Sequence, residues 1–169
     1  RVAFLDLAGT ERRLVYVPAG QVQEDQAALA AATFARVDAL WATRADLYGN
    51  VDVQIMNPGL AYGTLRRLSP EELAHTVVSA RDILVLTRLP LELPLVGGTI
   101  TEEWQTPLAH VNVAARTRGT PNLALPGASS DPRVAPLIGR LVRFEVAEGR
   151  FTLEETTQAE AQAFWDARQ

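Results

Sequence analysis

One of the two histidines of the chain, His110, lies in the run Thr106-Pro107-Leu108-Ala109-His110-Val111-Asn112-Val113-Ala114-Ala115-Arg116, which is closed by Gly119-Thr120-Pro121. The pattern predicts a short helix with defined ends. Thr106 can accept the free N–H groups of the first turn, and Pro107 suits the first helical position, where its missing donor costs nothing. Gly119 can close the helix in a left-handed conformation, and Pro121 cannot continue it. His110 is then expected in the first turn, exposed, beside N–H groups and a positive dipole end that favour a neighbouring anion. A neutral imidazole beside an anion site can attack a phosphoryl group. On helix geometry alone the commoner role of such a histidine is packing or solvation.

Residues 106–121 resemble the active-site helix of the phosphohistidine swivelling domain of the phosphoenolpyruvate-utilising enzymes. That domain occurs in pyruvate phosphate dikinase, phosphoenolpyruvate synthase, enzyme I of the sugar phosphotransferase system and the glucan water dikinases. The matching pieces are Leu108-Ala109-His110, Ala115-Arg116, Gly119-Thr120-Pro121 and the apolar Asn122-Leu123-Ala124-Leu125. Upstream, Pro58-Gly59-Leu60-Ala61-Tyr62-Gly63 resembles the Pro-Gly-x-Ala-x-Gly that opens the same domain. An apolar run, Asp82-Ile83-Leu84-Val85-Leu86, lies between the two, and the likeness extends roughly over residues 55–153.

The sequence departs from the family pattern in two places. Glu102-Glu103-Trp104-Gln105 stand where the family has a glycine pair, and Ala109 replaces the serine before the histidine. Gly97 and Gly98 come earlier and are expected to serve a turn before a strand. The resemblance implies a swivelling-type β/β/α layered domain, which carries a phosphoryl group on His110 between two remote sites. Thr106, Arg116 and Thr117 are the candidates for the phosphoryl shell or for positioning the helix. Six residues of helix is about 600° of rotation, so Arg116 points about 120° away from His110, while Thr117 returns nearer its face.

Composition limits the alternatives. There is no cysteine, which excludes disulfides, thiolate zinc sites and cysteine nucleophiles. All 16 basic residues are arginine, so a Walker lysine or a Schiff base is excluded within these residues. A net charge of -4, with arginines scattered, gives no basic stripe for nucleic acid. The pairs Arg12-Arg13 and Arg66-Arg67 read as solvated surface charge. Hydrophobic residues at 47% argue against disorder, and no apolar run or leader pattern points to a membrane. A cytoplasmic location is expected. The chain begins at Arg1, which reads as a piece of a longer protein.

These residues need elements to hold them, and two parts are expected: 1–50, a strand-helix extension, and 51–169, the swivelling domain with a C-terminal helix. In the first part Val2–Leu5 and Leu14–Val17 read as a hairpin or edge strands. A helix from about Glu24 to Leu47 carries Ala30, Phe34, Val37, Trp41 and Ala45 on one stripe, with Gly49-Asn50 as its stop. In the second part strands are expected at Val51–Ile55, Ala61–Leu68, Ile83–Thr87, Gly98–Thr101 and Leu123–Leu125. A hairpin, Leu141–Val146 with Arg150–Leu153, turns at Ala147-Glu148-Gly149. Ser69-Pro70-Glu71-Glu72 starts a helix expected to run to about Ala80, with His75 structural or solvent-facing. Pro90 and Pro94 mark a rigid loop, and Ala128–Pro136 another. Gln158–Arg168 reads as a helix that docks through Phe164 and Trp165.

Pattern alone gives mixed α and β; the resemblance makes it α+β of the swivelling type. It further implies a domain of a phosphotransferase that is inactive by itself and holds no cofactor. ATP and magnesium are expected on other domains of the same polypeptide, one binding nucleotide and one the acceptor, pyruvate-like or glucan. The alternative is a non-catalytic module of the same type that binds a ligand or partner and has lost relay. A free-standing hydrolase is disfavoured, since no Ser/His/Asp set is suitably spaced and one histidine is too few for a typical metal site.

Overall fold

The computed structural model describes residues 15–18, 21–37, 39–43, 46, 52–105 and 110–168. The chain divides into two compact units, Arg1–Asn50 and Val51–Gln169.

In the first unit, β1 (Val15–Tyr16) pairs in parallel with β2 (Leu40–Trp41), and α1 (Gln21–Leu29) and α2 (Ala31–Arg36) lie between them in sequence. The single helix expected over 24–47 is therefore corrected: among the described residues, 21–41 form two short helices and a strand. Only Ala27 of the pair is buried, so no continuous apolar stripe favours one long helix. Trp41 instead joins a strand whose next N–H, that of Ala42, donates to Tyr16 O. Phe34 stacks on Tyr16 at 5.7 Å between ring centroids. The expected strand at 2–5, Ala45, Gly49-Asn50 and Arg12-Arg13 lie outside the described residues.

The second unit mixes α and β around one curled seven-stranded sheet. Its strands are β3 (Gln54–Asn57), β4 (Gly59–Leu68), β5 (Asp82–Leu86), β6 (Gly98–Thr101), β7 (Asn122–Ala124), β8 (Leu141–Ala147) and β9 (Arg150–Glu155), in the order β3-β7-β6-β5-β4-β8-β9. The central β4, β5, β6 and β7 run parallel, and β3, β8 and β9 are antiparallel to their neighbours. β4 makes the curl possible. Its first half pairs with β8 and its second half with β5, and β3 comes back against β8. Inside the curl lie Leu65, Ile83, Val85, Ile100, Leu123 and Phe144. On the other face Leu84, Leu86, Leu93 and Val96 pack against Val111 and Ala115 of a helix. Strands buried on both faces read as continuous apolar runs, as Ile83–Leu86 does.

Among the described residues three helices complete the unit: α3 (Pro70–Ala74), α4 (His110–Arg118) and α5 (Gln158–Asp166). Ser69 and Glu72 cap α3 reciprocally, and Thr157 and Glu160 do the same for α5. The helix expected to reach Ala80 ends at Ala74. His75 caps it, and the β-branched Thr76-Val77-Val78 that follow lose rotamer freedom in a helix. His75 itself is exposed. The strand expected at 51–55 starts at Gln54, with an irregular register between Ile55 and Asn57. Gly98 opens β6 at the first residue of the strand expected over Gly98–Thr101, and a Cβ there would stand 2.8 Å from the Phe144 ring. The loop at 128–136 contains two 3₁₀ turns, Ala128–Ser130 and Ala135–Leu137. Arg66 and Arg67 are more than solvated charges: Arg66 donates to Val77 O and pairs with Asp82, and Arg67 donates to Ser129 Oγ.

The terminal helix docks as expected. Phe164 packs on the Tyr62 ring at 4.7 Å, and Trp165 Nε1 donates to Tyr62 O at 3.0 Å. No helix among the described residues is long and apolar enough to cross a membrane.

Candidate functional site

α4 follows the buried β6, and its sequence fixes which side meets the sheet. Val111, Asn112 and Ala115 are buried, while His110, Val113, Arg116, Thr117 and Arg118 are exposed. The helix ends as the sequence predicts. Gly119 has φ 65°, its N–H donates to Arg116 O, and the Thr120 N–H reaches back to Ala115 O at 2.9 Å. Those two bonds form a Schellman closure that satisfies the last carbonyls.

His110 is exposed at the first residue of α4 as described. It opens onto a cleft of ≈ 600 Å³, whose other walls are Leu91, Glu92 and Leu93 from the loop before β6 and Val113, Ala114 and Arg118 from α4. Thr106 and the proposed cap lie outside the described residues. Thr117 shares His110's side of the helix but is about 10 Å along the axis, and its hydroxyl donates to Val113 O at 2.9 Å. Arg116 does not line the cleft. Arg118 does, and its Nη1 is fixed by Leu93 O at 2.9 Å and Pro94 O at 3.1 Å. Neither Arg118 nor Glu92 is singled out by the sequence reading. The available signal was spacing, because eight helical residues return about 80° from His110.

Beneath α4 lies a buried polar cluster with no simple sequence signature. Asn122 Nδ2 donates to Asn112 Oδ1 at 2.7 Å and to Gln105 Oε1 at 2.9 Å. Gln105 Nε2 donates to Thr101 Oγ1 at 2.7 Å and Asn122 Oδ1 at 2.9 Å, and Thr99 Oγ1 donates to the same Asn122 oxygen at 3.0 Å. Gln54 closes the set. Its Nε2 donates to Gln105 O and its Oε1 accepts from the Gln105 N–H. Gln105 thus places a buried side chain in the stretch 102–105. Buried amides with paired donors and acceptors make a rigid, specific floor. The cluster fixes Gln105 and Asn112, which flank residues 106–109 in the sequence.

Among the described residues no group of three or more His, Asp or Glu side chains could hold a metal ion. No protein-family model matches the chain, and no curated protein matches it either.

Proposed function

We propose that residues 51–169 form a phosphoryl-carrier domain of the swivelling type, in which His110 accepts a phosphoryl group from a nucleotide site and passes it to an acceptor site. Both sites would belong to other domains of the same cytoplasmic polypeptide, which would bind ATP and magnesium. The observation that carries this reading is the exposure of His110 at the start of a helix whose next residues, Val111 and Asn112, are locked into the sheet. A carrier needs an accessible nucleophile on a rigid platform, because phosphoryl transfer depends mostly on positioning and charge neutralisation.

In the first step a ring nitrogen of His110 forms an N–P bond as the donor's bridging P–O bond breaks, with the electron pair leaving on the donor oxygen. In the second step an acceptor oxygen attacks phosphorus, and the N–P electrons return to the ring. Leu91, Val113 and Ala114 beside the histidine supply apolar surface for a docking domain to exclude water.

A second reading is a module of the same type that no longer relays. It is favoured by Gln105, whose buried side chain lies in the stretch 102–105, where the family glycines are missing, and by Ala109, which has no hydroxyl. Labelling of the parent protein with its phosphoryl donor separates the two. Acid-labile label on His110 supports relay, and its absence favours the non-catalytic module.

A further inference from the structure

We infer that a second cleft, lined by Arg81, Arg118 and Arg168, binds a small phosphomonoester. The inference stands apart from relay through His110. The three arginines are scattered in sequence, in the turn before β5, at the last residue of α4 and just beyond α5. The fold gathers them around one cleft of ≈ 320 Å³, and among the described residues lining it there is no carboxylate.

Two of the guanidinium groups are held on aromatic rings. Arg81 lies over Trp165 at 4.3 Å and Arg168 over Phe164 at 4.2 Å. The third, Arg118, is held by the carbonyls of Leu93 and Pro94. Stacking fixes the plane of a guanidinium and leaves its N–H edges to meet an oxyanion in a fork. Each group has five donors, and among the described residues the side-chain bonds made by the three use only Nη1 of Arg118 and Nη1 of Arg168, the latter to Leu60 O. Among the described residues none of the three forms an ion pair, although Arg66, Arg88, Arg133, Arg140 and Arg143 all do.

Helix dipoles alone do not account for this charge. The C-terminal ends of α4 and α5 contribute about half a negative charge each. Three guanidinium groups exceed that by about two positive charges, and a phosphomonoester carries about -1.5 to -2 near neutral pH. The turn that carries Arg81 is also built for close approach. A Cβ on Gly63 would stand 2.5 Å from Arg81 O, and one on Gly97 2.7 Å from Ala80 O. Glycine at both positions lets the turn press against β4 and the entry to β6, which sets Arg81 at the rim. Leu95, exposed at the same cleft, offers apolar surface to the organic part of the ligand. The cleft volume is at the lower end for ligand sites, which limits that part to something small.

The test is calorimetric titration of the 169-residue chain with glucose 6-phosphate, inorganic phosphate and glucose, with tryptophan fluorescence as a second signal from Trp165. Saturable binding of a phosphate compound with Kd about 1 mM or tighter is expected, with none for glucose. Arg81→Gln and Arg168→Gln should each weaken it at least about tenfold, because each removes a charged fork. Arg168→Gln is the variant that spares the packed turn, and thermal unfolding followed by circular dichroism checks that both fold. Arg150→Gln removes the same charge outside the cleft and should leave binding unchanged. Three results would overturn the inference: no saturable binding of either phosphate compound, full binding in both cleft variants, or an equal loss in Arg150→Gln.

Discussion

Asn122 on β7 donates to Asn112 on α4 at 2.7 Å, and together with the bond from Asn57 on β3 to Ala115 O it ties α4 to the sheet beneath it. Asn122 also pairs with Gln105 and accepts from Thr99. Replacing it strands several buried polar atoms at once. Asn122→Ala should therefore lower stability by on the order of 3 kcal/mol, read as a fall in the urea midpoint. A loss below about 1 kcal/mol would mean that the cluster rearranges or hydrates without strain.

Two glycines should respond differently to the same change. Gly63→Ala drives a Cβ into the backbone oxygen of Arg81, and neither strand nor turn can move away cheaply. The expected cost is above about 2 kcal/mol. At Gly119 nothing stands within 4 Å of a Cβ, and only its positive φ opposes a side chain. Gly119→Ala should cost about 1 kcal/mol. Equal midpoints for the two variants in urea would contradict this distinction.

Much of the sheet was legible because its strands announce themselves locally. Ile83–Leu86 is a continuous apolar run, Gly149 marks the tight turn between β8 and β9, and Ser69 and Gly119 mark helix ends through their own chemistry. Helix length was less legible. The alanine-rich stretch after Glu24 has helical composition throughout, but composition cannot show that Leu40–Trp41 pairs with Val15–Tyr16. The buried cluster was illegible for a similar reason. Gln105 sits in a polar stretch with no local packing signal, and the tertiary approach of Gln54, Thr101 and Asn122 gives it partners. Arg81, Arg118 and Arg168 are likewise scattered along the chain until the fold brings them together. His110 was legible because its helix has a sharp closing signal.

Acid should weaken the second unit in a defined direction. The Arg133 side chain, hydrogen-bonded to Asp131, holds that carboxyl below its ordinary value of 3.8. Hydrogen bonds from Thr156 and Thr157 likewise lower Glu160 at the start of α5. A carboxyl depressed in the folded state stabilises above its unfolded pKa, and that contribution is lost as pH falls through the lower folded value. Urea midpoints should therefore drop below about pH 4. Asp131→Asn should show a shallower acid dependence, and an unchanged slope would remove Asp131 from the account.

The docking of α5 depends on Trp165. Its Nε1–H bond to Tyr62 O ties the helix to β4, and the Arg81 stack ties it to the turn before β5. Trp165→Ala should cost about 2 kcal/mol and raise amide exchange first in residues 158–166. Exchange raised uniformly across the sheet would mean that the helix and the sheet open as one unit.

The most direct test of relay is mass spectrometry of the parent protein, isolated from its own cells at alkaline pH, on the peptides that contain His110 and His75. A phosphoryl group is predicted on the His110 peptide only, lost in acid and stable in base, because protonation of the phosphoramidate makes the ring nitrogen a good leaving group. His110→Ala should abolish the adduct while the fold survives, since an exposed first-turn side chain contributes little to the core. His75→Ala should leave it intact. A wild-type protein that never carries an acid-labile phosphoryl group, or an adduct that persists in His110→Ala, would contradict phosphoryl relay through His110.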